Sequence, residues 1–142
     1  MNETTFLAGQ VRKVSLPVVE GAMGPFGCKR LLLPQGELAR IYDAEEGMRF
    51  IAYLELRAGG VRGNHYHHRK AEWVYIVQGE IELLLLDPQT QARDTVCLRT
   101  GDLAFIPTGV AHAMRTVQPG HAIEFSSSRF DPEDSVRMAV AG

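Results

Sequence analysis

The amino-acid sequence predicts an all-β domain built as an antiparallel sandwich or barrel. Short segments of alternating or continuous apolar residues recur along the chain, and Gly, Pro and Asp separate them. No segment shows the apolar period of a helix longer than a turn or two. Many short strands without helical crossovers favour antiparallel packing.

Turn residues divide the chain into ten predicted strands. Asp87 and Pro88 have the chemistry of a hairpin turn, and Gly79 and the Pro119–Gly120 pair mark further turns. Asp131 as N-cap, with Pro132 at the first helical position, predicts a short helix near the C-terminus. The predicted strands are 11–19, 28–33, 38–42, 48–56, 72–77, 80–86, 94–98, 103–106, 112–117 and 122–127.

Length and charge limit the possible functions. A chain of 142 residues fits one compact domain with a genuine apolar core. Its net charge of -2 and its scattered Lys and Arg side chains argue against a nucleic-acid partner. Neither a signal-peptide pattern nor a membrane-spanning apolar run is present, so we expect a cytoplasmic protein with no membrane partner.

The first motif of interest has the pattern G-x5-H-x-H-x4-E-x6-G and begins at Gly59. Residues two apart in a strand point to the same face, so His65 and His67 project together. The four residues between His67 and Glu72 predict a hairpin connection that brings the next strand alongside and aims the carboxylate at the same point.

A second motif, with the pattern G-x5-P-x-G-x2-H, begins at Gly101. Pro107 and Gly109 predict a bend that redirects the chain, after which His112 begins a strand as a fourth ligand. Three imidazoles and one carboxylate suit a divalent transition metal such as Zn, Fe, Mn, Ni or Co. The predicted metal ligands are therefore His65, His67, Glu72 and His112.

Together these two motifs resemble those of the cupin superfamily, over residues 48–128. The one departure is Thr116, which stands where the family usually has Asn and is not a ligand position. The resemblance implies a double-stranded β-helix, or jelly-roll barrel, that commonly forms a homodimer. It divides the chain into N-terminal strands 1–47 that pack on the barrel or swap between barrels, the barrel 48–128, and a tail 129–142 of the same domain.

The segment Arg62-Gly63-Asn64-His65 resembles a strand of cupins that epimerise or isomerise nucleotide-linked deoxysugars, including metal-containing cupin domains of capsule-sugar enzymes. In that interpretation, Arg62 reaches a phosphate or sugar oxygen of a small-molecule substrate through its planar fork. The alternative is a solvated loop arginine.

The resemblance also bears on the mechanism. Metal-free sugar epimerases and ketoisomerases of this superfamily use a histidine of this strand as the base, whereas the carboxylate of Glu72 indicates that His65 and His67 bind metal here. A metal that polarises the sugar carbonyl and hydroxyl would lower the pKa of the adjacent C–H, so that a nearby base or a metal hydroxide could move its proton. The candidates for that catalytic residue are Tyr53 and Glu124. The alternative for Tyr53 is a packing aromatic residue, and the alternative for Glu124 is a surface charge.

Two other function classes stay open at the level of sequence. The set of three histidines and one glutamate also suits an iron-dependent dioxygenase, which would consume oxygen. The third class is a non-catalytic module that binds a sugar or another small ligand.

Overall fold

The computed structural model describes residues 2–20 and 27–141, and strands dominate these two ranges. One short 3-10 helix, Pro132–Asp134, begins at the predicted N-cap Asp131. The strands are β1 (Asn2–Phe6), β2 (Val11–Ser15), β3 (Val18–Glu20), β4 (Lys29–Leu33), β5 (Gly36–Arg40), β6 (Phe50–Leu56), β7 (Val61–His67), β8 (Glu72–Leu86), β9 (Arg93–Arg99), β10 (Asp102–Ile106), β11 (Ala111–Ser126) and β12 (Ser135–Arg137).

Two long strands, β8 and β11, pair with each other and take part in both layers of a jelly-roll barrel. The first layer has the order β1-β2-β10-β8-β11-β6 and uses the first half of β8 and the second half of β11. The second layer has the order β9-β8-β11-β7-β12 and uses the other halves. All pairings in these layers are antiparallel, which confirms the predicted all-β jelly-roll fold.

Gly79 and Gly120 lie where the two long strands change layer. The ladder between β8 and β11 shifts register here, and Gly79 has a φ of 112°. A Cβ atom on Gly120 would lie 1.8 Å from the carbonyl oxygen of Gln78, so only glycine fits. The turns predicted at these glycines are therefore wrong: each is a bulge inside one continuous strand, and two pairs of predicted strands are in fact two long ones.

Between the two layers lies an apolar core built by period-two alternation. On β8, Val74 and Ile76 face this core, while Trp73 and Tyr75 face the opposite side of the first layer. That opposite side carries a second apolar cluster, in which residues of the 28–48 segment cover Tyr75 and Phe125. Both faces of the first layer are thus covered along the first half of β8, which is why this part of β8 reads as a nearly continuous apolar run.

The predicted N-terminal unit, 1–47, contributes to both parts of the fold. β2 pairs with β10 of the barrel, whereas β3, β4 and β5 form a separate three-stranded sheet. Residues 21–26 of this unit lie outside the described ranges. Within those ranges, no helix has the length and apolar character needed to span a membrane. The homodimer and the exchange of N-terminal strands stay predictions.

Candidate metal centre

Three histidines approach one another on the inner face of the second layer. His65 and His67 lie two residues apart on β7, and His112 on β11 is the cross-strand partner of His65. The ring centroid of His65 is 4.6 Å from that of His67 and 4.9 Å from that of His112. Because His67 and His112 are buried, this group of imidazoles lies inside the barrel rather than on its surface.

A β-bulge in β7 sets the direction of His65. His112 pairs with His65, but Ala113 pairs with Gly63, which leaves Asn64 as the extra residue. Gly63 and Asn64 both have positive φ angles, of 95° and 58°. A Cβ atom on Gly63 would lie 2.7 Å from the carbonyl oxygen of His112, so the bulge requires glycine at this position.

Glu72 comes from the other layer of the barrel. The predicted hairpin between His67 and Glu72 is wrong, because β7 and β8 are not hydrogen-bonded neighbours; β11 lies between them. Residues 68–71 instead cross from the second layer to the first. The carboxylate therefore meets the imidazoles across the interior of the barrel.

All four predicted ligands converge, with one donor atom from each lying within 4.8 Å of every other. Oε1 of Glu72 is 2.9 Å from Nε2 of His112 and 3.5 Å from Nε2 of His67. Despite this proximity, Oε1 of Glu72 and Nε2 of His112 are buried without a hydrogen-bond partner among the described residues. Buried polar atoms without partners are costly, and a cation held between them would satisfy both.

The outer nitrogens of two of these imidazoles contact backbone carbonyls. Nδ1 of His112 lies 3.1 Å from the carbonyl oxygen of Val110, and Nδ1 of His67 lies 3.2 Å from that of Asp134. A carbonyl oxygen can only accept, so Nδ1–H donates in each case and Nε2 keeps its lone pair. In both His67 and His112, Nε2 is the ring nitrogen nearer to Glu72, and its lone pair is therefore available to a metal.

The pKa shifts at the site favour the neutral imidazole of His65 and the ionised carboxylate of Glu72, which are the forms that bind a metal. Burial and the neighbouring His112 and His67 lower the pKa of His65 to about 4, so its imidazole is neutral at pH 7. Burial opposes ionisation of Glu72, but His112 and a hydrogen bond with Glu124 outweigh burial and hold its pKa well below the usual value. Conversely, Glu72 raises the pKa of His112 against the effect of burial, so a cation would compete with a proton there.

Glu124 and Lys70 form an ion pair beside the cluster. Nζ of Lys70 lies 3.1 Å from Oε1 of Glu124, and it also lies 4.2 Å from the centre of the Phe50 ring. Burial and the adjacent Glu72 raise the pKa of Glu124 to about 8, although Lys70 acts in the opposite direction. The alternative interpretation of Glu124 as a surface charge is wrong, because the side chain is largely buried.

The other two predicted site residues differ in position. Arg62 lines the same cavity as the histidines and donates a hydrogen bond from Nη2 to the carbonyl oxygen of Glu55 at 2.9 Å. Tyr53 lies on the outer face of β6, is 64% exposed, and places its hydroxyl 2.5 Å from Nδ1 of His121. It does not line the cavity, because odd-numbered residues of β6 face outward, and its candidacy as a catalytic residue is not supported.

A cavity of about 410 Å³ connects the cluster with the surface. Phe50 and Phe130 stack on each other in its wall, with ring centroids 6.0 Å apart. A cavity of this size accommodates a small polar molecule.

Lys70 and Asp134 are site residues that the sequence did not reveal. Both lie outside the strands, where alternation gives no indication of direction. The capping signal at Asp131 located the short helix but gave no reason to connect its last residue, Asp134, with the histidines.

Comparison with known proteins places this site in a family. The cupin family model matches residues 45–138, which include both motifs and all four clustered ligands. No curated protein matches the chain by sequence.

Solved structures of similar fold include several sugar-modifying enzymes. A dTDP-6-deoxy-D-glucose-3,5-epimerase from Legionella pneumophila has a TM-score of 0.74 at 14% identity, over 96% of this chain and 76% of that chain. The sugar 3,4-ketoisomerase from Thermoanaerobacterium thermosaccharolyticum, in complex with TDP, has a TM-score of 0.72 at 17% identity, over 92% and 90%. A 3,4-ketoisomerase from Helicobacter canadensis has a TM-score of 0.66 at 19% identity, over 78% and 86%. These likenesses establish the fold, and the family match, which covers about two thirds of the sequence, shows that the chain belongs to the cupin family.

Proposed function

We propose that this protein is a metal-dependent isomerase or epimerase that acts on a small polar substrate of the carbohydrate class, such as a nucleotide-linked sugar. The observation that carries the proposal is the convergence of four ligand atoms within 4.8 Å of one another, at the wall of a cavity large enough for a sugar. His65, His67, Glu72 and His112 would hold one divalent transition metal, and the unpartnered atoms of Glu72 and His112 support this fit.

When bound, such a cation would supply a Lewis acid that polarises a carbonyl and an adjacent hydroxyl of the substrate. The three neutral ligands and one carboxylate leave a positive charge in the centre, which favours an anionic or chelating oxygen. The imidazoles and Glu72 are fixed on strands of two different layers, so the site is held rigidly before the substrate enters.

Glu124 is the candidate for proton transfer. Its carboxylate lines the cavity next to Glu72 and is oriented by Lys70. In its ionised form, which predominates above its pKa of about 8, Glu124 would take the proton from a sugar carbon next to the carbonyl and return it on the same face to the neighbouring carbon. In an epimerisation, solvent would return the proton to the opposite face of the sugar. The ammonium group of Lys70 would stabilise the negative charge that develops on the substrate.

Arg62 is the candidate for substrate binding at the cavity wall. One N–H of its guanidinium is used by the carbonyl oxygen of Glu55, and a guanidinium has five N–H donors in all. The remaining donors would bind a phosphate or a sugar oxygen.

Similarity of fold supports the choice of substrate class. The Legionella protein is an epimerase of a dTDP-linked sugar, and a mutant of the Thermoanaerobacterium ketoisomerase has been seen with TDP-4-keto-6-deoxyglucose bound. A nucleotide-linked 4-keto sugar is therefore the first substrate to try on this chain.

The test is solvent exchange. The protein loaded with Zn²⁺, Mn²⁺, Fe²⁺, Ni²⁺ or Co²⁺ is incubated in D₂O with TDP-4-keto-6-deoxyglucose under nitrogen, and the sugar is followed by proton NMR. We expect deuterium to enter at a carbon next to the ketone, or a new isomer to form, without oxygen. Absence of exchange with every metal would overturn the proposal; oxygen consumption by the iron form would instead indicate a dioxygenase, and saturable binding without exchange would indicate a binding module.

A further inference from the structure

We infer that Asp134 is a positioning residue of the metal centre, acting on its ligand His67 through both its side chain and its backbone. Its carboxylate is bound by the segment that joins His67 to Glu72, and its carbonyl oxygen is bound by the imidazole of His67. No other described residue makes both kinds of contact. The inference rests on the proposed metal site and adds a part of the chain outside both histidine motifs.

The carboxylate of Asp134 accepts hydrogen bonds from three successive backbone amides. Oδ1 accepts from His68 and Arg69 at 3.0 and 3.1 Å, and Oδ2 accepts from Arg69 and Lys70 at 3.2 and 3.1 Å. Asp134 is 4% exposed, and the hydrogen bonds to these amides offset burial and keep its pKa below the usual value. Hydrogen bonds to a charged acceptor are stronger than neutral ones, so the conformation of this segment depends on the carboxylate.

The segment held in this way is the one that passes from the second layer of the barrel to the first. It leaves His67 in one layer, contributes the amide and the side chain of Lys70, and enters β8 at Glu72 in the other layer. Because His67 and Glu72 lie at its two ends, a change in its conformation would shift one of these proposed ligands relative to the other.

The carbonyl oxygen of Asp134 acts on the ring itself. It lies 3.2 Å from Nδ1 of His67, on the side of the imidazole away from Glu72. A hydrogen bond at Nδ1 keeps the proton on that nitrogen and leaves Nε2 with the lone pair that a metal requires. Such outer partners of a ligand histidine contribute about 10- to 100-fold to metal affinity.

The surrounding chain keeps Asp134 in place independently of the histidine. β12 follows directly and pairs with β7, with Ser135 opposite His67. Further along, the side-chain oxygen of Asn64 accepts from the amides of Val140 and Ala141 at 2.8 Å. The carbonyl of Asp134 is thus presented by a segment that is held on its C-terminal side by β7 and by Asn64.

The variants Asp134→Ala and Asp134→Asn test the inference. Alanine removes all the side-chain acceptors. Asparagine keeps one oxygen, which accepts from the amides of His68 and Arg69, but it places its NH₂ group against the amide N–H of Lys70. The matched control is Asp131→Asn, since Asp131 caps the same short helix and pairs with Arg69 but does not touch these amides. Thermal melting of each variant reports whether it folds.

Two measurements are made on each folded variant. In metal-free protein, long-range ¹H–¹⁵N correlation spectra report which nitrogen of His67 carries the proton at neutral pH. We expect Nδ1–H in the wild type and in Asp131→Asn, and a mixture of tautomers in Asp134→Ala, because release of the amides of residues 68–70 would let the ring of His67 move away from the carbonyl oxygen of residue 134. Titration with Co²⁺, followed by its visible absorption, should show about 10- to 100-fold weaker binding by Asp134→Ala and an intermediate loss for Asp134→Asn.

The two proposals fail in different ways. If the wild type binds no Co²⁺, the metal site is wrong, and the tautomer measurement still tests the contact between Asp134 and His67. If the wild type binds Co²⁺ and both Asp134 variants keep its affinity, absorption spectrum and tautomer, the inference is wrong. Should Asp134→Ala not fold, the comparison of Asp134→Asn with Asp131→Asn decides the question by the same criteria.

Discussion

The interior of this barrel contains two regions of opposite character, an apolar core and a polar cluster at the cavity. In the core, side chains such as Ile81, Val96 and Leu98 are fully buried and contact one another. In the cluster, Glu72 and His112 are equally buried, yet each has a polar atom without a hydrogen-bond partner among the described residues. The core stabilises the fold, whereas the cluster costs stability unless a ligand satisfies it.

The difference shows how one set of strands serves two purposes. β8 supplies Val74 and Ile76 to the core and Glu72 to the cluster from the same face, and β11 supplies His112 and Ala122 in the same way. Alternation determines which face of the sheet a side chain lies on, and its position along the strand determines whether it joins the apolar core or the polar cluster. Substitutions in the two regions should therefore have separable effects.

The largest effect that separates the regions is expected from Glu124→Gln. The amide keeps the size of the side chain but cannot accept and return a proton as a carboxylate does, so the rate of solvent exchange into the substrate should fall about 100- to 10,000-fold. Metal content should be unchanged, because Glu124 is not one of the four converging residues. Exchange at the wild-type rate would remove Glu124 from the mechanism.

A core substitution should show the reverse pattern. Leu98 lies on β9, which pairs with β8 but not with the two strands that carry the histidines, and it is fully buried. Leu98→Ala should lower the free energy of unfolding by about 2–5 kcal/mol, measured by urea denaturation. Metal content per folded molecule should stay at the wild-type level; its loss would mean that core and cluster are not separable.

The smallest effect is expected from Tyr53→Phe. This hydroxyl lies on the exposed outer face of β6 beside His121, away from the cavity. Stability should change by less than about 0.5 kcal/mol, and the exchange rate should match that of the wild type. A fall in rate as large as that of Glu124→Gln would restore Tyr53 as a catalytic candidate and contradict the assignment of the cavity.

The sequence predicts the ligands better than the path that joins them. Spacing places His65 and His67 on one face, and the structure brings both to Glu72 and His112. What spacing cannot show is that residues 68–71 change layer, because that depends on β11 lying between β7 and β8. The four side chains therefore converge as predicted, but the chain reaches Glu72 by crossing between layers and not through a hairpin.

Two other features follow from non-local contacts and were not predictable. The continuity of β8 through Gly79 depends on how Gly120 passes Gln78, which are contacts between distant parts of the chain. β1 (Asn2–Phe6) and β12 (Ser135–Arg137) have too few apolar residues to show alternation, and they form because a neighbouring strand offers hydrogen bonds.

Metal analysis of protein purified without added metal tests the central claim most directly. The same measurement is made on His67→Ala and Glu72→Ala, with circular dichroism to confirm the fold. The four-ligand site predicts about one transition-metal ion per wild-type chain and little or none in either variant. Equal metal content in all three proteins, or a wild type that neither carries a transition metal nor takes one up on addition, would contradict it.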